Sequence, residues 1–137
     1  MLMDSPINIV LITPEIPQNT GNIIRLCANV GARLHLVEPL AFQLDDTSLK
    51  RAALDYRDLT DVVVYPSIED FVATKSFDNT YATTTHGIKT YSNVRYKSGD
   101  TLIFGPESVG LPQAIISHVP EGNLISIPMM PNNRSLN

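Results

Sequence analysis

Apolar and polar positions fall in blocks along the chain, and the period changes from block to block. Ile7 to Thr13 is a nearly unbroken apolar run that predicts a central strand. The loop that follows, Pro14-Glu15-Ile16-Pro17-Gln18-Asn19-Thr20-Gly21-Asn22, holds prolines and a cluster of amides. Asn19 or Thr20 is the expected cap of a helix reaching Val30, and Gly31 is its stop. Ile23, Leu26, Cys27, Ala28 and Val30 leave that helix apolar nearly all round. Such a helix is expected to be buried on more than one side, against the sheet and against another surface such as a second subunit. Asn22, Arg25 and Asn29 recur at spacings of three and four and form its one polar stripe.

Leu34 to Glu38 predicts a second strand, closed by Pro39. A short helix is expected from Asp46 or Thr47 through Leu54 to Arg57, and a third strand from Val62 to Tyr65. Ser67 is placed to cap a helix with Glu69 and Asp70 in its first turn. Thr80 to Thr85, rich in β-branched residues, predicts a fourth strand. Residues 89–99 are polar and read as a loop before a buried strand from Thr101 to Phe104. A helix from Gln113 to Val119, a turn at Pro120-Glu121-Gly122 and a last strand from Leu124 to Ile127 complete the pattern.

Strands alternating with helices define an α/β domain with a mostly parallel sheet and helices on both faces. The unusual residues gather in the loops after the first, fourth, fifth and last strands. In a parallel sheet these loops open on one edge, the edge where ligands bind.

Composition narrows the picture. A length of 137 residues suits a single domain. The net charge of −4 argues against non-specific grip on nucleic acid, which needs many cations on phosphate. It leaves room for a specific RNA partner if the basic residues gather on one face or two subunits combine theirs. No apolar run approaches the roughly 18–20 residues of a membrane span, so no membrane association is expected. The start lacks a basic segment before an apolar one, so no signal peptide is expected. Cys27 is the sole cysteine, which excludes an internal disulfide and suits the cytoplasm. His35, His86 and His118 show no metal-site spacing.

Two stretches carry candidate chemistry. Phe104-Gly105-Pro106-Glu107-Ser108-Val109-Gly110-Leu111-Pro112 joins a strand to a helix and carries one carboxylate, Glu107. It is either a ligand cradle or a strand-to-helix turn that needs glycine for geometry. The stripe Asn22, Arg25, Asn29 is either a solvated edge or a set of donors aimed at an anion such as phosphate. Cys27, on the apolar side of the same helix, reads as a small buried hydrophobe rather than a nucleophile. There is no G-x-G-x-x-G after the first strand and no Walker lysine loop, which speaks against other nucleotide-binding α/β modules.

Three segments together resemble a known set of motifs: Pro14 to Arg25, Phe104 to Pro112, and Ile127-Pro128-Met129 running into Asn133-Arg134-Ser135-Leu136-Asn137. They are similar to those of the SPOUT superfamily of RNA ribose methyltransferases, most nearly the small tRNA wobble-position cytidine/uridine 2′-O-methyltransferases of the TrmL (YibK) type. The resemblance implies an α/β sheet whose C-terminal part is tied in a trefoil knot. It implies S-adenosylmethionine as cofactor, held by Thr83, Gly105, Ile127 and Ser135, with no metal. It implies Arg25 as the catalytic arginine, with Glu107 orienting Arg25 or the loop amides and Ser135 assisting from the last loop. Asn19, Asn22 and Arg134 are the implied substrate contacts, and the implied partners are the tRNA anticodon loop and a second copy of the chain. The family's third motif leads into a C-terminal helix, which this sequence, ending at Asn137, is expected to lack or not to show. The implied activity is methyl transfer to a ribose 2′-hydroxyl at the wobble position; a methyl-inactive RNA- or cofactor-binding relative is the alternative.

Overall fold

The structure, a computed structural model, describes residues 6–43, 47, 62–84, 89–90 and 96–126. Strand β1 (Asn8–Ile12) leads into helix α1 (Pro17–Val30) and β2 (Arg33–Val37). Then come β3 (Val63–Tyr65), α2 (Ile68–Ala73), β4 (Thr80–Thr83) and β5 (Lys89–Thr90). β6 (Thr101–Phe104), α3 (Gln113–Ile116), a 3₁₀ turn (Glu121–Asn123) and β7 (Leu124–Ser126) finish the described chain.

The strands form one seven-stranded sheet in the order β3-β2-β1-β6-β4-β7-β5, and every neighbouring pair is parallel. The alternation along β1 explains the layers. Val10 and Ile12 point to a core shared with Val37, Phe71, Ile103 and Ile115, under α2 and α3. Leu11 points the other way, to Ile24, Cys27, Leu34 and Leu36, under α1. Helices therefore cover both faces, as the apolar runs predict for a parallel sheet.

Several elements differ from expectation in their bounds. Helix α1 starts at Pro17, with Ile16 as its cap and no side-chain cap bond, so Asn19 and Thr20 lie inside its first turn. Proline at the first helical position needs no amide partner, which moves the start forward. Gly31 ends the helix in the left-handed conformation, φ 77°, as expected. Ser67 caps α2 by accepting from the Asp70 amide at 3.1 Å. The polar stretch at 89–99 contains the two-residue strand β5, too short to leave a periodic signal. The helix after Pro112 is a single turn, Gln113–Ile116. The helix expected around 46–57 and His86 lie outside the described residues, apart from Thr47, which is helical.

In α1 only Thr20, Gly21, Ile24 and Cys27 are buried. Leu26 and Val30 are 58% and 66% exposed. Within one copy of the chain the helix is thus covered on one side, and its second apolar flank is open.

Candidate functional site at the carboxyl edge of the sheet

The strand order sets the site. Leaving β1, the chain moves through α1 to β2 on one side, while β6 pairs with β1 on the other. Connections run in opposite directions from this pair, which makes it a topological switch point, where a crevice opens beyond the strand ends. Leu11 is in register with Phe104, so the loops after β1 and β6 leave the sheet side by side. Ala82 is in register with Ile103, and Thr83 with Ile125, so the ends of β4 and β7 share the rim.

The loop after β6 is folded tightly on itself. The Gly110 amide donates to the Pro106 carbonyl at 3.0 Å, and Gly110 adopts φ 76°. A Cβ on Gly105 would overlap the Gly110 carbonyl carbon and the Leu111 nitrogen. Glycine at 105 is therefore required by close approach of backbone to backbone. The loop after β1 opens with Thr13 in the left-handed region, φ 43°. That is an uncommon conformation for a β-branched residue, and it costs of order 1–3 kcal/mol.

Two carboxylates bind these loops together. Glu107 accepts from the backbone amides of Glu15 at 2.9 Å and Ile16 at 2.8 Å. Glu15 accepts from the amide of Ser108 at 2.8 Å and from its hydroxyl at 2.9 Å. Ile16 is the cap position of α1, so Glu107 does for this helix what a first-turn glutamate does in a capping box. Its negative charge also suits the positive end of the helix dipole.

Of the two roles open to Glu107, the geometry gives it the loop amides: one amide occupies each oxygen, and no described contact joins it to Arg25. Arg25 and Asn22 are exposed on the side of α1 away from the buried stripe. Asn19 is half-buried and, at the helical spacing, falls in line with Ile23, Leu26 and Val30 rather than with Asn22. Thr83 and Gly105 come together on neighbouring strands, and the Thr83 hydroxyl donates to the Ile103 carbonyl at 3.3 Å. Ile127, Arg134 and Ser135 lie outside the described residues. Cys27 is buried, and desolvation pushes its thiol up to about 11, the behaviour of a packing group. Glu15 and Ser108 were missed by pattern reasoning, because a clamp between residues 93 apart in sequence leaves no local signal.

The described residues at the rim suit a cofactor with a neutral purine and a cationic sulfur. Thr83, Phe104, Gly105, Leu111 and Ser126 supply apolar walls, hydroxyls and backbone groups, with no cation among them. Among the described residues no group of three or more His, Cys, Asp or Glu is placed to hold a metal ion. No helix among them is long and apolar enough to cross a membrane.

Comparison with known proteins decides the family. Residues 6–137 match the model of the SpoU rRNA Methylase family. The chain belongs to that family. It is 49% identical over 130 residues to a Saccharophagus degradans protein named tRNA (cytidine(34)-2′-O)-methyltransferase, covering 95% of this chain and 84% of that one. A solved structure described as "Structural insights into the 2-OH methylation of C/U34 on tRNA" matches with a TM-score of 0.85 and 39% identity, over 97% of this chain and 86% of that one. An AdoMet-bound rRNA methyltransferase from Sinorhizobium meliloti shares the fold, with a TM-score of 0.83 at 24% identity over 98% of this chain and 52% of that one. The family's fold is the α/β sheet described above.

Proposed function

We propose that this chain transfers a methyl group from S-adenosylmethionine to the ribose 2′-hydroxyl of the wobble nucleotide, cytidine or uridine, in the anticodon loop of tRNA. One observation carries the proposal. A chain 49% identical over 95% of its length to a tRNA (cytidine(34)-2′-O)-methyltransferase brings Thr83 and Gly105 to the rim where the β1 and β6 loops are clamped.

Thr83 and Gly105, with Ile127 and Ser135, would hold the cofactor, which when bound supplies an electrophilic methyl on a good leaving group. What remains for the protein is to aim a scarcely ionised hydroxyl at about 3 Å and to assist loss of its proton. Arg25 stays protonated, with a pKa above about 12, so it does not act as the base. It holds a phosphate of the substrate, and that phosphate or a bound water takes the proton. Asn19, Asn22 and Arg134 place the ribose and backbone, and Ser135 orients the reacting groups from the last loop. Glu107 acts by fixing the loop that leads into α1.

The same proposal includes a homodimer. The open flank of α1, Leu26 and Val30 at i and i+4, is an apolar stripe of the kind a second copy covers. It includes a cytoplasmic location, which a lone buried cysteine suits. It also includes the C-terminal knot, for which the position of β7 between β4 and β5 gives the chain a slot to thread.

The test pairs calorimetry with S-adenosylhomocysteine and methyl transfer to bulk tRNA, read by nucleoside analysis of the product. The wild-type chain is expected to bind and to transfer. Binding without transfer identifies a methyl-inactive relative instead. Arg25→Ala is expected to abolish transfer while cofactor affinity stays within about threefold. Equal loss of both contradicts the role given to Arg25.

A further inference from the structure

We infer that Glu15 is a positioning residue for the transfer reaction, because its carboxylate sits on the amide (2.8 Å) and hydroxyl (2.9 Å) of Ser108 and locks the loop leading into α1 against the loop after β6. The inference rests on the function proposed above and assigns a role within that site.

The clamp is reciprocal. Glu107 reaches from the β6 loop to the amides of Glu15 and Ile16, and Glu15 reaches back to Ser108. Glu107 alone fixes the chain at the start of α1 but leaves its own turn tethered through one side chain. Glu15 supplies the second tether, at the next residue of that turn, so that the two loops cannot pivot about a single contact. What is held in register is functional on both sides. α1 begins one residue beyond Ile16 and carries Asn19, Asn22 and Arg25, the groups assigned to the substrate. The other loop begins at Gly105, assigned to the cofactor, and closes at Gly110. In-line transfer between groups on two separate loops is sensitive to displacement, and a shift of about 1 Å can cost about a hundredfold in rate. Both oxygens of Glu15 face Ser108, so it acts through the loops and not on the reacting atoms.

The variants are Glu15→Ala, Glu15→Gln, Ser108→Ala and the double Glu15→Ala/Ser108→Ala. Glu15→Ala is expected to lower kcat about ten- to a hundredfold, with affinity for S-adenosylhomocysteine within about threefold of wild type. Ser108→Ala, which keeps the amide donor, is expected to lose less. The double variant is expected to be no worse than Glu15→Ala, since both remove one contact. Glu15→Gln is expected to recover most of the rate, because its amide oxygen accepts from the Ser108 amide and its amino group donates to the Ser108 hydroxyl. Hydrogen exchange at the Ser108 amide is expected to quicken in Glu15→Ala and to return toward wild type in Glu15→Gln.

An unchanged kcat in Glu15→Ala overturns the inference. So does an additive double variant, or a loss of rate matched by equal losses of cofactor affinity and thermal midpoint. Failure of the parent reading looks different: the wild-type chain then transfers no methyl to tRNA, while the exchange at Ser108 still decides whether the clamp exists.

Discussion

His35 and Tyr65 form a stacked, hydrogen-bonded pair across β2 and β3: imidazole Nδ1 lies 3.1 Å from the phenol oxygen, with ring centroids 5.8 Å apart. The other ring nitrogen, Nε2, lies 2.9 Å from Asn8 Oδ1. An amide oxygen only accepts, so Nε2 carries the proton and the Tyr65 hydroxyl donates to Nδ1. The pair thus needs a neutral imidazole. Burial, with Arg33 and Lys75 adding positive charge nearby, lowers the His35 pKa from 6.5 to about 4.

A pH dependence follows. Between about pH 6.5 and 4 the unfolded chain binds a proton at this site that the folded chain refuses, so stability rises with pH through that window. The contribution is complete above the unfolded value and is lost as pH falls toward 4, by about 2–3 kcal/mol. Urea unfolding of the wild type and of His35→Phe from pH 4 to 8 checks it. The wild-type curve should be steeper between pH 4 and 6.5, and parallel curves would remove the assignment.

Gly105→Ala tests the folded loop. The new Cβ meets the backbone of Gly110 and Leu111, which has no flexible end to swing aside. A loss of about 1–3 kcal/mol is expected, the usual cost of forcing atoms into a packed site, together with a clear fall in S-adenosylhomocysteine affinity. Urea midpoints and calorimetry report the two effects separately. An unaltered midpoint would mean that the loop opens readily.

Thr80→Val should stabilise the protein. Thr80 is fully buried in β4, and its hydroxyl has no hydrogen-bond partner. A buried unsatisfied group costs about 1–3 kcal/mol, and valine has nearly the same shape and suits a strand. A rise of about 1 kcal/mol or more is expected in urea unfolding, and a fall would show that the hydroxyl is satisfied in solution.

The sequence pattern and the structure agree where the governing forces are local. The apolar runs of β1, β2 and β6, the Gly31 stop and the Ser67 cap all act within a few residues of themselves. The pattern misplaced the start of α1, because the Ile16 amide is satisfied by Glu107, 91 residues downstream. It missed β5, whose two residues pair only with β7 among the described strands. It brought Gly105 and Thr83 into view through motif resemblance, but it gave no sign of Glu15. That carboxylate matters only once two distant loops lie side by side. The open flank of α1 was legible as excess apolar character, since a single chain has no surface left to cover Leu26 and Val30.

The place of β7 bears on how the chain is made. Thr83 of β4 and Lys89 of β5 are both in register with Ile125, one on each side of it. A ribosome delivers both flanking strands before the strand that separates them. The nascent sheet therefore carries a gap in its interior until synthesis is almost over, and β5 has no ladder to join until then. Such late, long-range closure is slow. Assembly of the rim that holds Thr83 waits on the final residues to emerge.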